Sequence, residues 1–295
     1  MVVVPSDRVI VWAFRAVWGA LALLAGPALG DALADTSRPV QIVTSICLWA
    51  GWAVVLVASL VPTTVSLTVV RLVAPGAVAA TVAAAFGGAG PLAAGIAVGA
   101  TIAAALLAFL AELGLAFVRG SAYGDEDRLL LRPPGPLVLG PLPLAWLVLA
   151  AAVAAGPLLL ATRQWIAGGV VTVLGVALAV LLGRRFHRLS QRWLVLVPAG
   201  LVLHDPLVLA ETAMWRRGDV TEVTLAREGT QAMDLTGKAL GMAVEVRLAG
   251  DGGTVVLAGT PRDRKGKAYH VRSFLCAPSR PGRAITDAAR RGLPT

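Results

Sequence analysis

Apolar residues fill long, nearly uncharged runs through the first two thirds of the chain, then give way to short alternating stretches. Runs near or above about 18 residues with almost no charge are the mark of membrane-crossing helices. Six are legible, at about 9–30, 40–60, 66–86, 92–118, 144–161 and 166–182. The fifth is expected to begin only near Leu144, because Pro133, Pro134, Pro136, Pro141 and Pro143 oppose an earlier regular helix. The loop 119–143 lies between the fourth and fifth. Within it, 129–132 and 137–140 are expected to pair as a short ribbon around the prolines.

From about residue 191 the period changes. Alternation and β-branched content predict strands at 193–197, 201–204, 213–217, 222–226, 242–248, 254–258 and 270–275. Turn signals separate them: Pro198-Ala199-Gly200, Asp205-Pro206, Gly218-Asp219, Asp251-Gly252-Gly253 and Lys265-Gly266. A last helix is expected at 283–291. The stretch GLVLHDPLVLAETAMWRRGDVTEVTLA, with seven short strands closed by one helix, resembles the bacterial pleckstrin-homology-like (PH-like) domain. In plan, the whole chain resembles multi-span membrane proteins of actinobacteria that carry such a domain. The expected fold class is therefore a membrane α-helical bundle of six transmembrane helices (1–190), followed by a small antiparallel β-rich PH-like domain with a C-terminal helix (191–295).

Composition agrees with that division. The chain is 57% hydrophobic and 15% charged, with a mean hydropathy of +0.77, against about 25% charged in a soluble domain. Arginine orients it. With the N-terminus inside, Arg8, Arg15, Arg71, Arg119, Arg128, Arg132, Arg184, Arg185 and Arg188 fall on the cytoplasmic side, and only Arg38 and Arg163 outside. That bias predicts both termini in the cytoplasm of a bacterial inner membrane. Trp12, Trp49, Trp146, Trp165 and Trp193 fall near the predicted span ends, where indole favours the interface. The net charge of +9 is then explained by membrane ends, and nucleic acid is not expected as a partner. The segment ALALLAGPALGDALADTSRP could pass for a signal peptide, but Arg15 interrupts its apolar core and five more spans follow, so it is expected to stay uncleaved. Cys47 and Cys276 have no metal spacing and are expected as free thiols.

Candidate chemistry is sparse. Glu112 is the one acidic residue inside a predicted span, and ionisable groups at membrane depth are functional suspects. The simplest expectation is an ion pair with Arg71 or Arg15; a proton or ion relay is the alternative. Gly95 and Gly99 form a GxxxG that would let the fourth span pack tightly. The triplet Asp125-Glu126-Asp127 lacks the pattern of a calcium loop and is expected as a solvated turn, although it holds the only candidates for a lipid-directed enzyme. His204, beside Asp205, is expected to make a turn hydrogen bond, and Trp215 to sit in a strand. The 192–295 region carries fifteen Lys and Arg against ten Asp and Glu. Much of the excess is in the loop 260–272. Arg262, Arg264, Lys265 and Lys267 are candidate contacts for lipid headgroups or a protein partner, with Arg184, Arg185 and Arg188 of the basic run after the sixth span. No catalytic signature, cofactor motif or metal set is legible. The expected function is a non-enzymatic membrane scaffold or accessory protein whose partners are lipid and a membrane protein; a transporter is the alternative.

Overall fold

A computed structural model of the chain describes residues 5–259 and 266–295. It forms two compact units. Of the described residues, one contains 5–117 together with Leu144–Phe186; the other contains Val118–Pro143 together with His187–Thr295. The loop 119–143, which the linear reading attached to the membrane helices, thus clusters with the C-terminal region.

The first unit is helical. Its elements are α1 (Pro5–Leu24), α2 (Gly26–Ala34), α3 (Arg38–Leu60), α4 (Thr64–Phe86), α5 (Pro91–Phe109), the first part of α6 (Ala111–Gly120), and most of α8 (Pro141–Ala161) and α9 (Trp165–Ser190). Taking α1 and α2 as one span, six helices are long and apolar enough to cross a membrane. Several predicted boundaries move. The first span turns at Ala25, just ahead of Pro27, which sits at the start of α2. The fifth begins at Pro141, not Leu144. Prolines in a first turn cost no hydrogen bond, because those N–H groups have no intrahelical acceptor. The sixth continues to Ser190, because arginine is a good helix former and nothing before Gln191 stops it. The fourth, expected as one helix, breaks at Leu110, whose backbone is extended (φ −58°, ψ 142°).

Small residues set the packing. The buried positions of α5 are Ala94, Ala97, Thr101, Ala104 and Ala108, recurring every three or four residues as one helical face requires. That face meets α4, where the Thr81 and Thr101 hydroxyls share a 2.9 Å hydrogen bond. Gly95 and Gly99 lie off this face with nothing close to them. Span four does pack closely, but through its alanines. Glycine-mediated contact occurs between α8 and α9 instead: a Cβ on Gly175 would stand 2.8 Å from the Ala152 carbonyl oxygen, and one on Gly156 would meet Thr172. Two indoles bond reciprocally to backbone, Trp18 Nε1 to Trp52 O and Trp52 Nε1 to Trp18 O, both at 2.9 Å.

The second unit is β-rich. A four-stranded antiparallel sheet has the order β1 (Asp127–Leu130), β2 (Trp193–Val197), β3 (Gly200–His204), β4 (Ala213–Arg216). The expected ribbon within 119–143 does not form. Leu129 pairs with Leu194 and Leu130 with Trp193, while 135–139 is the short helix α7 (Gly135–Leu139). The apolar side chains of β1 are covered by joining the larger sheet, which a two-stranded ribbon could not achieve. A second sheet has the order β5 (Val220–Leu225), β7 (Val244–Leu248), β10 (Ser273–Cys276), β6 (Met233–Asp234), with β6 parallel to β10. The strand predicted at 270–275 divides at Arg272 between β10 and β9 (Lys267–Val271), which forms a hairpin with β8 (Gly253–Leu257). The tight β2–β3 turn needs glycine at 200, since a Cβ there would lie 2.0 Å from the Trp215 carbonyl oxygen. Helix α10 (Pro281–Arg290) packs on β5 and β7 through Ala284 and Ala288. Trp215 is buried and stacks on Phe274 at 4.4 Å. Cys47 is exposed and Cys276 buried, and both are free thiols.

Candidate functional site

Arginine–carboxylate pairs organise the β unit, and the most deeply buried of them lies just before β2. Arg192 and Asp205 are both fully buried. Arg192 Nε donates to Asp205 Oδ1 at 2.8 Å and Nη2 to Oδ2 at 2.6 Å, a two-pronged arrangement that fixes both planes. The rest of the guanidinium bonds to the Arg132 and Thr236 carbonyls, at 2.5 and 3.2 Å. Asp205 Oδ1 also accepts from the Leu207 N–H, so the aspartate closes the turn after β3. One guanidinium thereby ties together the α9–β2 junction, the end of β3, the segment after β1 and the turn at 236. Arg192 is accordingly a core residue of the β unit.

A second frame fastens α10. Asp287, almost fully buried, accepts from Arg119 Nη2 at 2.8 Å and also pairs with Arg290 and Arg283. Arg291 bonds Asp127 at 2.9 Å and Asp125 at 2.9 Å. Glu126 pairs with Arg128 at 2.7 Å and accepts from the Tyr123 N–H. Of the acidic triplet, expected as a solvated turn, Asp125 stays 75% exposed, while Asp125 and Asp127 hold Arg291 and Glu126 holds Arg128. Burial pushes the Arg132 pKa down and the Cys276 thiol up to about 12.

Beside the first frame opens a cleft of about 490 Å³, whose polar lining includes Arg188, Gln191, His204, Glu211 and Thr212. His204 Nδ1 and the Thr212 hydroxyl share a 2.8 Å bond across the β3–β4 connection, whereas the expected turn hydrogen bond is made by Asp205. Its ring stacks on Trp193 at 5.1 Å, and the Arg128 guanidinium covers Trp193 at 5.0 Å. Trp193 is therefore held in the β unit between two partners. Burial lowers the His204 pKa; Asp205 raises it and Arg128 lowers it by smaller amounts. Both Asp205 oxygens are engaged by Arg192. Among the described residues, no group of three or more His, Cys, Asp or Glu side chains could hold a metal ion.

In the helical unit, Glu112 lies in the first turn of α6, directly after the break at Leu110. A carboxylate there faces the positive end of the helix dipole. The bonds described for the two arginines are to backbone carbonyls. Arg15 donates two hydrogen bonds to Ser59 O (3.1 and 2.6 Å), and Arg71 Nε donates to Ala108 O (3.3 Å). Each guanidinium thus caps the carbonyl end of a helix, α3 or α5. Arg184, Arg185 and Arg188 are exposed on the last turns of α9, and Lys267 is exposed at the start of β9. Of these four, Arg188 lines the cleft. Arg262, Arg264 and Lys265 lie outside the described residues.

Linear reading missed Arg192 with Asp205, and Asp287 with Arg119. Asp205-Pro206 was legible as a turn, but partners thirteen and 168 residues away leave no local signal. Comparisons of the chain with protein-family models, curated proteins and solved structures returned no match.

Proposed function

We propose that the protein is a non-enzymatic membrane scaffold, in which six crossing helices hold a cytoplasmic β unit that contacts a partner protein or the anionic lipid surface. The β1–β2 pairing carries this reading. Paired strands lie about 4.8 Å apart, which supports a topology with residues 127–130 and 193–197 on one side of a membrane and α8 and α9 crossing between them as a hairpin. That agrees with the arginine bias, which makes this side the cytoplasm of a bacterial inner membrane with both termini inside. The PH-like reading is supported by the antiparallel four-stranded sheet, the second sheet and the closing helix. The parallel β6–β10 pair and the strand borrowed from between α6 and α8 depart from an all-antiparallel C-terminal domain, so the kinship proposed is one of plan. The engagement of Asp125, Glu126 and Asp127 by arginines favours binding over a lipid-directed enzyme.

The test is purification of the tagged full-length protein in mild detergent, with mass spectrometry, beside a form lacking residues 192–295. A stoichiometric partner lost on deletion supports the scaffold. If nothing co-purifies, and the full-length protein shows no preference for anionic over neutral vesicles, the scaffold reading fails.

A second reading, transport, is favoured by one observation: the fourth apolar run breaks at Leu110 and presents Glu112 in the first turn that follows. Broken helices with an ionisable group at the break are a feature of transporter sites. Glu112→Gln separates the two. A relay predicts a properly folded protein that has lost function, whereas a helix-end charge predicts lower thermal stability with function kept in proportion.

A further inference from the structure

The chain between β6 and β7 makes a turn, 236–242, that is braced at several points yet points its apolar tips outward. Leu240 and Met242 are 59% and 61% exposed, and Lys238 between the brace points is exposed too. The bracing is to the segment that runs from β1 into α8. The Gly135 N–H donates to Lys238 O at 3.1 Å, Arg132 Nη2 to Met242 O, and Arg192 Nη2 to Thr236 O. Contact at Gly135 is close enough that a Cβ there would stand 2.6 Å from Lys238 O and 3.3 Å from Leu240 Cγ. Gly135 opens α7, and Leu139, one turn later on the same side, is 75% exposed. These apolar tips are held in place and are not the ends of a floppy loop.

Chain connectivity says what covers them. Only Gly140 separates α7 from α8. Helix α8 has 21 residues, about 32 Å at 1.5 Å per residue, close to the roughly 30 Å of a hydrocarbon core. It has no length to spare, so its first residue, Pro141, sits at the edge of the hydrocarbon, and α7 sits one residue further out, in the headgroup layer. Apolar tips flanked by a lysine are the composition that enters that layer, to a depth of about 5–10 Å.

We infer that the turn 236–242 is a membrane-interface anchor that seats Leu240 and Met242 in the headgroup–acyl boundary beside the start of α8. It uses other residues than the basic loop 260–272 and rests only on α8 being a membrane span. A second copy of the chain is the competing occupant.

The full-length protein is tested in vesicles of equimolar phosphatidylcholine and phosphatidylglycerol, in a Cys47→Ser background. Environment-sensitive fluorophores go on single cysteines at Leu240→Cys or Met242→Cys, at Asp251→Cys as a solvent control, and at Val153→Cys as a span control. The native Cys276 thiol, buried and with its pKa pushed up to about 12, stays unlabelled wherever the β unit is folded and so checks each variant. Expected is quenching at 240 and 242 by nitroxide lipids labelled near the headgroup, several-fold above that at 251. Quenching at 153 with none at 240 or 242 overturns the anchor while leaving the span intact. Shielded but unquenched probes whose shielding falls on dilution overturn it in favour of a second copy. Absence of quenching at 153 removes the span reading itself, and the anchor with it.

Discussion

At the scale of single residues, the buried Arg192–Asp205 pair decides most. Removing one partner of a buried, hydrogen-bonded ion pair leaves a desolvated charge, at a cost of about 3–5 kcal/mol. Asp205→Ala is therefore expected to lower the stability of the β unit by that order, read from urea unfolding followed by Cys276 labelling. The double variant Arg192→Met, Asp205→Leu should recover only part, because the Arg132 and Thr236 carbonyls still lose their donor. His204 supplies a pH test. Its folded pKa lies below the ordinary 6.5, chiefly through burial, so the unfolded chain takes up the proton first as pH falls. Stability is full above 6.5 and declines as pH drops through that value toward the folded pKa. His204→Gln should remove that component of the slope, and an unchanged slope would exclude His204 as its source.

At the scale of elements, β1 is the least expected feature. An alternation of only four residues between prolines and an acidic turn carries no mark of its partner, and pairing with β2 is settled by the apolar face it covers at Leu194 and Leu196. A fragment of residues 187–295 is thus expected to be loosely folded. It lacks the strand that covers β2, the carbonyl that receives Arg192, and the carboxylates that hold Arg291. Joining 118–143 to that fragment through a flexible linker should restore a cooperative urea transition. If 187–295 alone unfolds with the same midpoint, β1 is dispensable. The helices show the reverse balance: their existence follows from composition, whereas their ends follow from local rules about first-turn prolines and helix-forming arginines that permit several stopping points.

At the scale of the whole molecule, the consequence is topological. A single cysteine at the well-exposed Tyr123 and another at Glu228 should react with a membrane-impermeant maleimide from the same face of sealed vesicles. Cysteines at Arg38 and Arg163 should react from the opposite face. Labelling of 123 and 228 from opposite faces is incompatible with the β1–β2 pairing.

Six apolar helices and a strand-rich C-terminal region were determined by the sequence itself. Each depends on how residues of one local stretch partition between water and an apolar phase, and that preference is written in the stretch. The tertiary structure alone decided that 118–143 belongs with 187–295, that Arg119 and Arg192 are fold-holding partners of Asp287 and Asp205, and that Arg15 and Arg71 bond the carbonyl ends of α3 and α5. A charged side chain has the same local signature whether it faces solvent, headgroups or a buried carboxylate. What separates these outcomes is a partner brought near from far along the chain, and only folding supplies it.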